Sequence, residues 1–207
     1  MKELNKNQQN YHSAFTLSAA SEISHSSTMM KLENLKPVTG YVVNAKDKYE
    51  NIPKHYEQIC NAIKKQSKDI DLGKAEYIFQ CQEMFFNPKA ETHKYRIMVA
   101  PDMASLPEIE GLKIATIKGG EYATLLHKGP YNQIGEKYKQ LTAEIKEAKL
   151  SIAGFPFELY LNDPAKVEES ELETLVAFPV RKGGMLKPLL LGGSLILVAV
   201  VAFKMMK

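Results

Sequence analysis

One stretch of this chain is written twice. YENIPKHYEQICNAIKK, from Tyr49, aligns with YNQIGEKYKQLTAEIKE, from Tyr131. Tyr49/Tyr131, Ile52/Ile134, Tyr56/Tyr138, Gln58/Gln140, Ile63/Ile145 and Lys64/Lys146 are identical pairs, and Ile59/Leu141 is conservative. Apolar residues recur at steps of three and four, which is the period of one face of an amphipathic helix. The flanks repeat as well. A strand pattern led by Tyr41 or Tyr122 precedes each helix, and two apolar runs follow, Tyr77–Gln82 and Tyr95–Ala100, then Phe155–Leu161 and Leu172–Phe178. Asn87-Pro88 and Asn162-Asp163-Pro164 close the first run of each pair with turn chemistry.

Lys31–Leu35 and Lys113–Ile117 are expected as leading strands, the latter joined to Tyr122 by a Gly119-Gly120 hairpin turn. Each unit then reads as β-hairpin, helix, β-hairpin, over 30–101 and 112–180, with Asp102–Gly111 between them. The expected fold is α+β: two pseudo-twofold-related units sharing one antiparallel sheet, with both helices on one face.

Basic and acidic residues nearly balance, 27 against 24. No clustered basic face of the kind that grips nucleic acid is legible. Lys64, Lys65 and Lys68 cluster where cations complement the end of a helix dipole. Cys60 and Cys81 have no metal-ligand or disulfide-framework spacing, so reduced thiols are expected, and neither a metal nor a cofactor is implied.

Residues 1–28 are polar and read as a tail, which leaves Met1, Met29 or Met30 as the start. Pro188 to Phe203 runs PLLLGGSLILVAVVAF without a charge. At about 1.5 Å per residue it spans about 24 Å, short of a bilayer core of about 30 Å. Lys187 and Lys204 can snorkel from its ends. Residues 188–204 are therefore expected to anchor the chain, after a linker at 181–187, with the domain at 29–180 on the cytosolic side. The oligomeric state is not legible.

GEYATLLHKGPYNQIGEKYKQL, GFPFELYLNDP and LETLVAFPV closely resemble the GyrI-like, or AraC effector-binding, domain family. The motif residues are Tyr122, His127, Gly129, Tyr131, Pro156, Glu158, Tyr160, Asp163, Pro164, Glu173, Thr174, Pro179 and Val180. KLENLKPVTGYVV resembles the family's opening. The resemblance covers about 150 residues and implies a ligand cleft between two units that takes small, often cationic or amphipathic molecules. No DNA-binding module accompanies it here.

That resemblance places Glu158 in the cleft, where a carboxylate near aromatic rings suits an organic cation. Strand alternation puts Glu158 and Tyr160 on one face, with Phe155, Phe157, Leu159 and Leu161 on the other. Glu83 and Phe85 are their counterparts in the first unit, and Tyr41 and Tyr122 are further aromatic candidates. The helix tyrosines Tyr49, Tyr56, Tyr131 and Tyr138 read as core, and His127 reads as structural or as a pocket donor.

The expected function is a membrane-tethered binding protein for a small amphipathic or cationic ligand. Two alternatives stand beside it: a hydrolase of reactive small molecules using Glu158, and an adaptor presenting a protein-binding surface. No catalytic residue is assigned.

Overall fold

The computed structural model describes residues 29–83 and 90–183. The polar tail, Phe85 and the expected membrane segment 188–204 lie outside the described residues. Among the described residues no helix is long and apolar enough to cross a membrane.

Among the described residues nine strands and two α-helices make an α+β domain. In chain order these are β1 (Lys31–Leu35), β2 (Val38–Asp47), α1 (Ile52–Gln66), β3 (Glu76–Cys81), β4 (His93–Ala100), β5 (Lys113–Ile117), β6 (Gly120–Lys128), α2 (Ile134–Glu147), β7 (Leu150–Ile152), β8 (Phe157–Tyr160) and β9 (Glu173–Lys182). Both helices form where the apolar stripes predicted them. Each follows a single 3-10 turn led by a tyrosine, Tyr49–Asn51 and Tyr131–Gln133. A proline lies in the first turn of α1, where its missing N–H removes no helical bond, and Lys64 and Lys65 lie in the last turn.

The sheet is antiparallel and curled, in the order β1-β6-β9-β8-β3-β4-β2-β5, with β7 pairing separately to β9. The hairpins β3–β4 and β8–β9 form as expected. The leading hairpins do not. Instead β1 pairs with β6, and β5 pairs with β2. The two leading strands are thus exchanged between the halves of the chain.

Gly119 explains how the exchange is accommodated. A Cβ there would come within 2.8 Å of the Pro37 backbone nitrogen and 2.9 Å of the Leu35 carbonyl oxygen. The β5–β6 and β1–β2 connections pass against each other at this point, and only a glycine allows the approach. The turn residues read as a hairpin are a chain crossing.

Paired residues share a face, so the registers define rows across the sheet. Tyr41, Val99, Tyr77, Tyr160, Thr174 and His127 form one row across β2, β4, β3, β8, β9 and β6. Two residues along each strand, Val43, Ile97, Phe79, Glu158, Val176 and Leu125 form the next. Ile59, Cys60 and Ile63 of α1 pack on this face over β2–β4, and Ile134, Leu141 and Ile145 of α2 pack on it over β6 and β9. Burying each such side chain contributes about 1.5–3 kcal/mol. Both helices therefore cover one face, leaving the central strands β3 and β8 between them. The opposite face carries its own buried cluster, including Val42, Ile78, Met98, Ile117, Tyr122 and Phe157. It is a second core on the far side of the sheet.

The exchange makes the halves interdependent. Residues 112–180 alone lose β1 and β3 as partners of β6 and β8, and are expected to show no cooperative urea unfolding by circular dichroism. A cooperative transition in that fragment would contradict the pairing.

Candidate functional site

The middle of the helix-covered face holds a carboxylate among apolar side chains. In its row Glu158 lies between Phe79 and Val176, and it is only 8% exposed. The alternation expected along β8 holds: Phe157 and Leu159 pack into the opposite cluster, while Glu158 and Tyr160 face the helices.

Two phenols hold the carboxylate. Tyr138 of α2 donates its hydroxyl to Glu158 Oε1 at 2.8 Å, and Tyr160 donates to Oε2 at 3.2 Å. Further rings close round them. Tyr160 meets Tyr131 edge-on at 5.3 Å between ring centroids and Tyr56 at 6.2 Å. Tyr49 meets Phe79 edge-on at 5.9 Å and stacks on His93 at 4.5 Å. Such edge-to-face pairs each add about 0.5–1.5 kcal/mol beyond area burial. Tyr131 is 36% exposed and marks the mouth of the cluster.

The electrostatics are unbalanced. Among the described residues no basic side chain pairs with Glu158. Burial pushes its pKa up from 4.5 to about 7, against the downward pull of the two hydroxyl bonds. Burial also pushes the Tyr131 hydroxyl up to about 12, helped by the Glu158 charge, and raises those of Tyr56, Tyr138 and Tyr160 well above their ordinary value. All four therefore remain neutral donors. The Tyr49 and Tyr56 hydroxyls are buried without a hydrogen-bond partner among the described residues. Unpaired buried polar atoms are uncommon and point to a missing group.

The sequence candidates separate. Glu158 and Tyr160 come together. Tyr41 faces the same way but is fully buried, its hydroxyl donating to the Pro107 carbonyl at 2.7 Å. Tyr122 faces the other side of the sheet, packs on Phe157 and donates to the Lys118 carbonyl. Tyr41 and Tyr122 thus point to opposite faces, because a one-residue offset in a strand reverses the side chain. Glu83 lies beyond the end of β3, bound to His93 Nδ1 at 3.2 Å and to the Lys94 backbone N–H at 2.8 Å. It is Phe79 that stands beside Glu158. The tyrosines Tyr49, Tyr56, Tyr131 and Tyr138, read from periodicity as core, are the ones that surround the carboxylate. Their repetition at matching positions of both helices was the available signal.

The family model for the GyrI-like small molecule binding domain matches residues 28–181. The chain belongs to the GyrI-like family. Among solved structures, the C-terminal domain of EcmrR is similar, with a TM-score of 0.65 at 18% identity, covering 74% of this chain and 98% of that one. EcmrR in its complex with DNA gives 0.64 at 16% identity, and there the match covers 74% of this chain but 57% of the longer one. An uncharacterized conserved protein from Listeria innocua gives 0.60 at 12% identity, covering 76% of this chain and 94% of that one. A hydrolase from the same organism gives 0.57 at 12% identity with the same coverage. At these identities the likeness is one of fold. No curated protein matches the sequence.

Glu158 has a measurable signature. Its folded pKa lies above its unfolded one, so the folded protein holds a proton between pH 4.5 and about 7 that the unfolded chain has released. Stability from this group is complete below 4.5 and is lost as pH rises to about 7, a difference of about 3 kcal/mol. Urea unfolding at pH 5 and pH 8 is expected to show that loss in the wild type and not in Glu158→Gln. Equal pH dependence in both proteins would contradict it.

Proposed function

We propose that this GyrI-like domain binds an organic cation in the tyrosine-lined cleft around Glu158, and that residues 188–204 tether it to a membrane. One observation carries the ligand reading: a buried carboxylate, held by two phenols and matched by no cation among the described residues, lies among five tyrosines, two of whose hydroxyls have no partner there. A hydrophobic organic cation supplies the missing countercharge. Its charge interacts with Glu158 where water is excluded, and its faces and edges meet the tyrosine rings. A neutral ligand leaves the carboxylate uncompensated.

The cleft draws on both halves of the chain. The strand order reads alike from either edge, β1-β6-β9-β8 against β5-β2-β4-β3, which supports the reading of two pseudo-twofold repeats. The tether rests on the uncharged run from Pro188 to Phe203 alone. A chain ending at residue 187 is expected to leave the membrane fraction, and its retention there would remove the tether.

Calorimetry with benzyltributylammonium tests the ligand reading. Cation binding needs ionised Glu158, so affinity is expected to be constant above pH 7 and to fall by up to about tenfold per pH unit below it. Glu158→Gln is expected to weaken binding at pH 8 by at least about tenfold and to abolish the pH dependence. Binding unaltered by the substitution would overturn the assignment. A folded domain that takes no cation would favour the adaptor alternative.

A second reading draws on the same carboxyl. A glutamate with a pKa of about 7 beside neutral phenols suits a general base that activates water. Hydrolysis of an activated ester, lost in Glu158→Gln, would support that reading.

A further inference from the structure

The row that contains Tyr160 ends in two buried polar side chains that the cation does not explain. Thr174 is next to Tyr160 on β9, and His127 is next to Thr174 on β6. Both are at least nine-tenths buried: Thr174 is 0% and His127 3% exposed. Their same-strand neighbours on this face, Val176, Phe178 and Leu125, are apolar and packed in the core under α2.

The geometry fixes which hydrogen-bonding role each atom has. After β6 the chain turns at Gly129, whose φ of +120° favours glycine. The turn brings the Pro130 carbonyl to 2.9 Å from His127 Nε2. A carbonyl only accepts, so Nε2 carries the proton and Nδ1 presents a lone pair. Burial, against the upward pull of the Pro130 and Gly129 backbone and helped by the nearby charge of Lys137, lowers the His127 pKa and favours this neutral form. Neither His127 Nδ1 nor Thr174 Oγ1 has a hydrogen-bond partner among the described residues. One acceptor and one hydroxyl therefore belong to paired residues of adjacent strands, about 5 Å apart at Cβ.

We propose that His127 Nδ1 and Thr174 Oγ1 form a hydrogen-bonding subsite beside the Glu158 cleft, for a neutral hydroxyl or amide group on the cationic ligand. A ligand hydroxyl donates to Nδ1 and accepts from the Thr174 hydroxyl, which satisfies both atoms at once. Thr174 is the diagonal neighbour of Glu158 across the β8–β9 pair, about 7–8 Å away. The two residues are therefore near enough to meet one ligand that carries a cation and a hydroxyl on the same aromatic ring. The inference rests on the cation reading of Glu158, and it narrows the ligand to an organic cation that also carries a hydrogen-bonding group.

Two probes separate the claims: phenyltrimethylammonium and 3-hydroxyphenyltrimethylammonium, titrated into the full chain by calorimetry. The hydroxylated probe is expected to bind the wild type about fivefold to tenfold more tightly. Thr174→Val, which keeps the shape and removes the hydroxyl, is expected to abolish that preference. Glu158→Gln is expected to weaken both probes while the preference persists. Equal affinities of the two probes for the wild type would overturn the subsite and leave the cation reading intact, whatever the stability of the variants. A preference that survives Thr174→Val would likewise overturn it. Failure of both probes to bind the wild type would overturn the cation reading, and the subsite with it.

Discussion

A carboxylate held in a row of apolar side chains is the constraint on which the centre of this domain depends. Removing an ionised carboxyl from water costs several kcal/mol unless other groups replace its hydration. Val43, Ile97, Phe79, Val176 and Leu125, which complete the row, supply none of that replacement. Two phenol hydroxyls supply part of it. The remainder appears as a pKa raised to about 7, so near neutrality the site lies between a protonated state and one that attracts a cation. A leucine at this position would carry no such cost, which the two phenols and the raised pKa offset only in part.

The arrangement of the chain keeps that site central. Exchange of β1 and β5 ties each half to the other, and pairing of β3 with β8 closes the sheet between the helices. Tyr49, Tyr56 and Phe79 reach the cluster from the first half, and Tyr131, Tyr138, Glu158 and Tyr160 reach it from the second. A side-chain cluster at such a junction is sensitive to any displacement of one helix relative to the other. Tyr138 would carry that displacement directly to the carboxylate.

Much of this was legible in the sequence. The repeated stripes located both helices, and alternation along Phe157–Tyr160 put Glu158 and Tyr160 on one face. What the sequence could not convey was which strands would be neighbours. Gly119-Gly120 signals that the chain changes course, and a hairpin and a crossing use the same residues to do so. Periodicity likewise reports that Tyr56 and Tyr138 face the sheet, but not that they stand around Glu158 and Tyr160 between the helices. Tyr41 and Tyr122 looked equivalent because each leads a strand pattern. Pairing puts Tyr41 opposite Val99 and Tyr122 opposite Pro179, which lie on different faces. The His127–Thr174 pair was visible as motif residues only, since an unpaired atom is a property of the folded neighbourhood.

The charge state of Glu158 is where the central claim can be observed most directly. Carbon-13 NMR of the Glu158 carboxyl, titrated from pH 4 to pH 9, follows it without relying on stability or turnover. A midpoint near 7 is expected in the unbound protein, moving to lower pH when a lipophilic quaternary ammonium ion is added, because a bound cation favours the ionised form. A midpoint near the ordinary carboxylate value, or one that the cation does not move, would contradict the account.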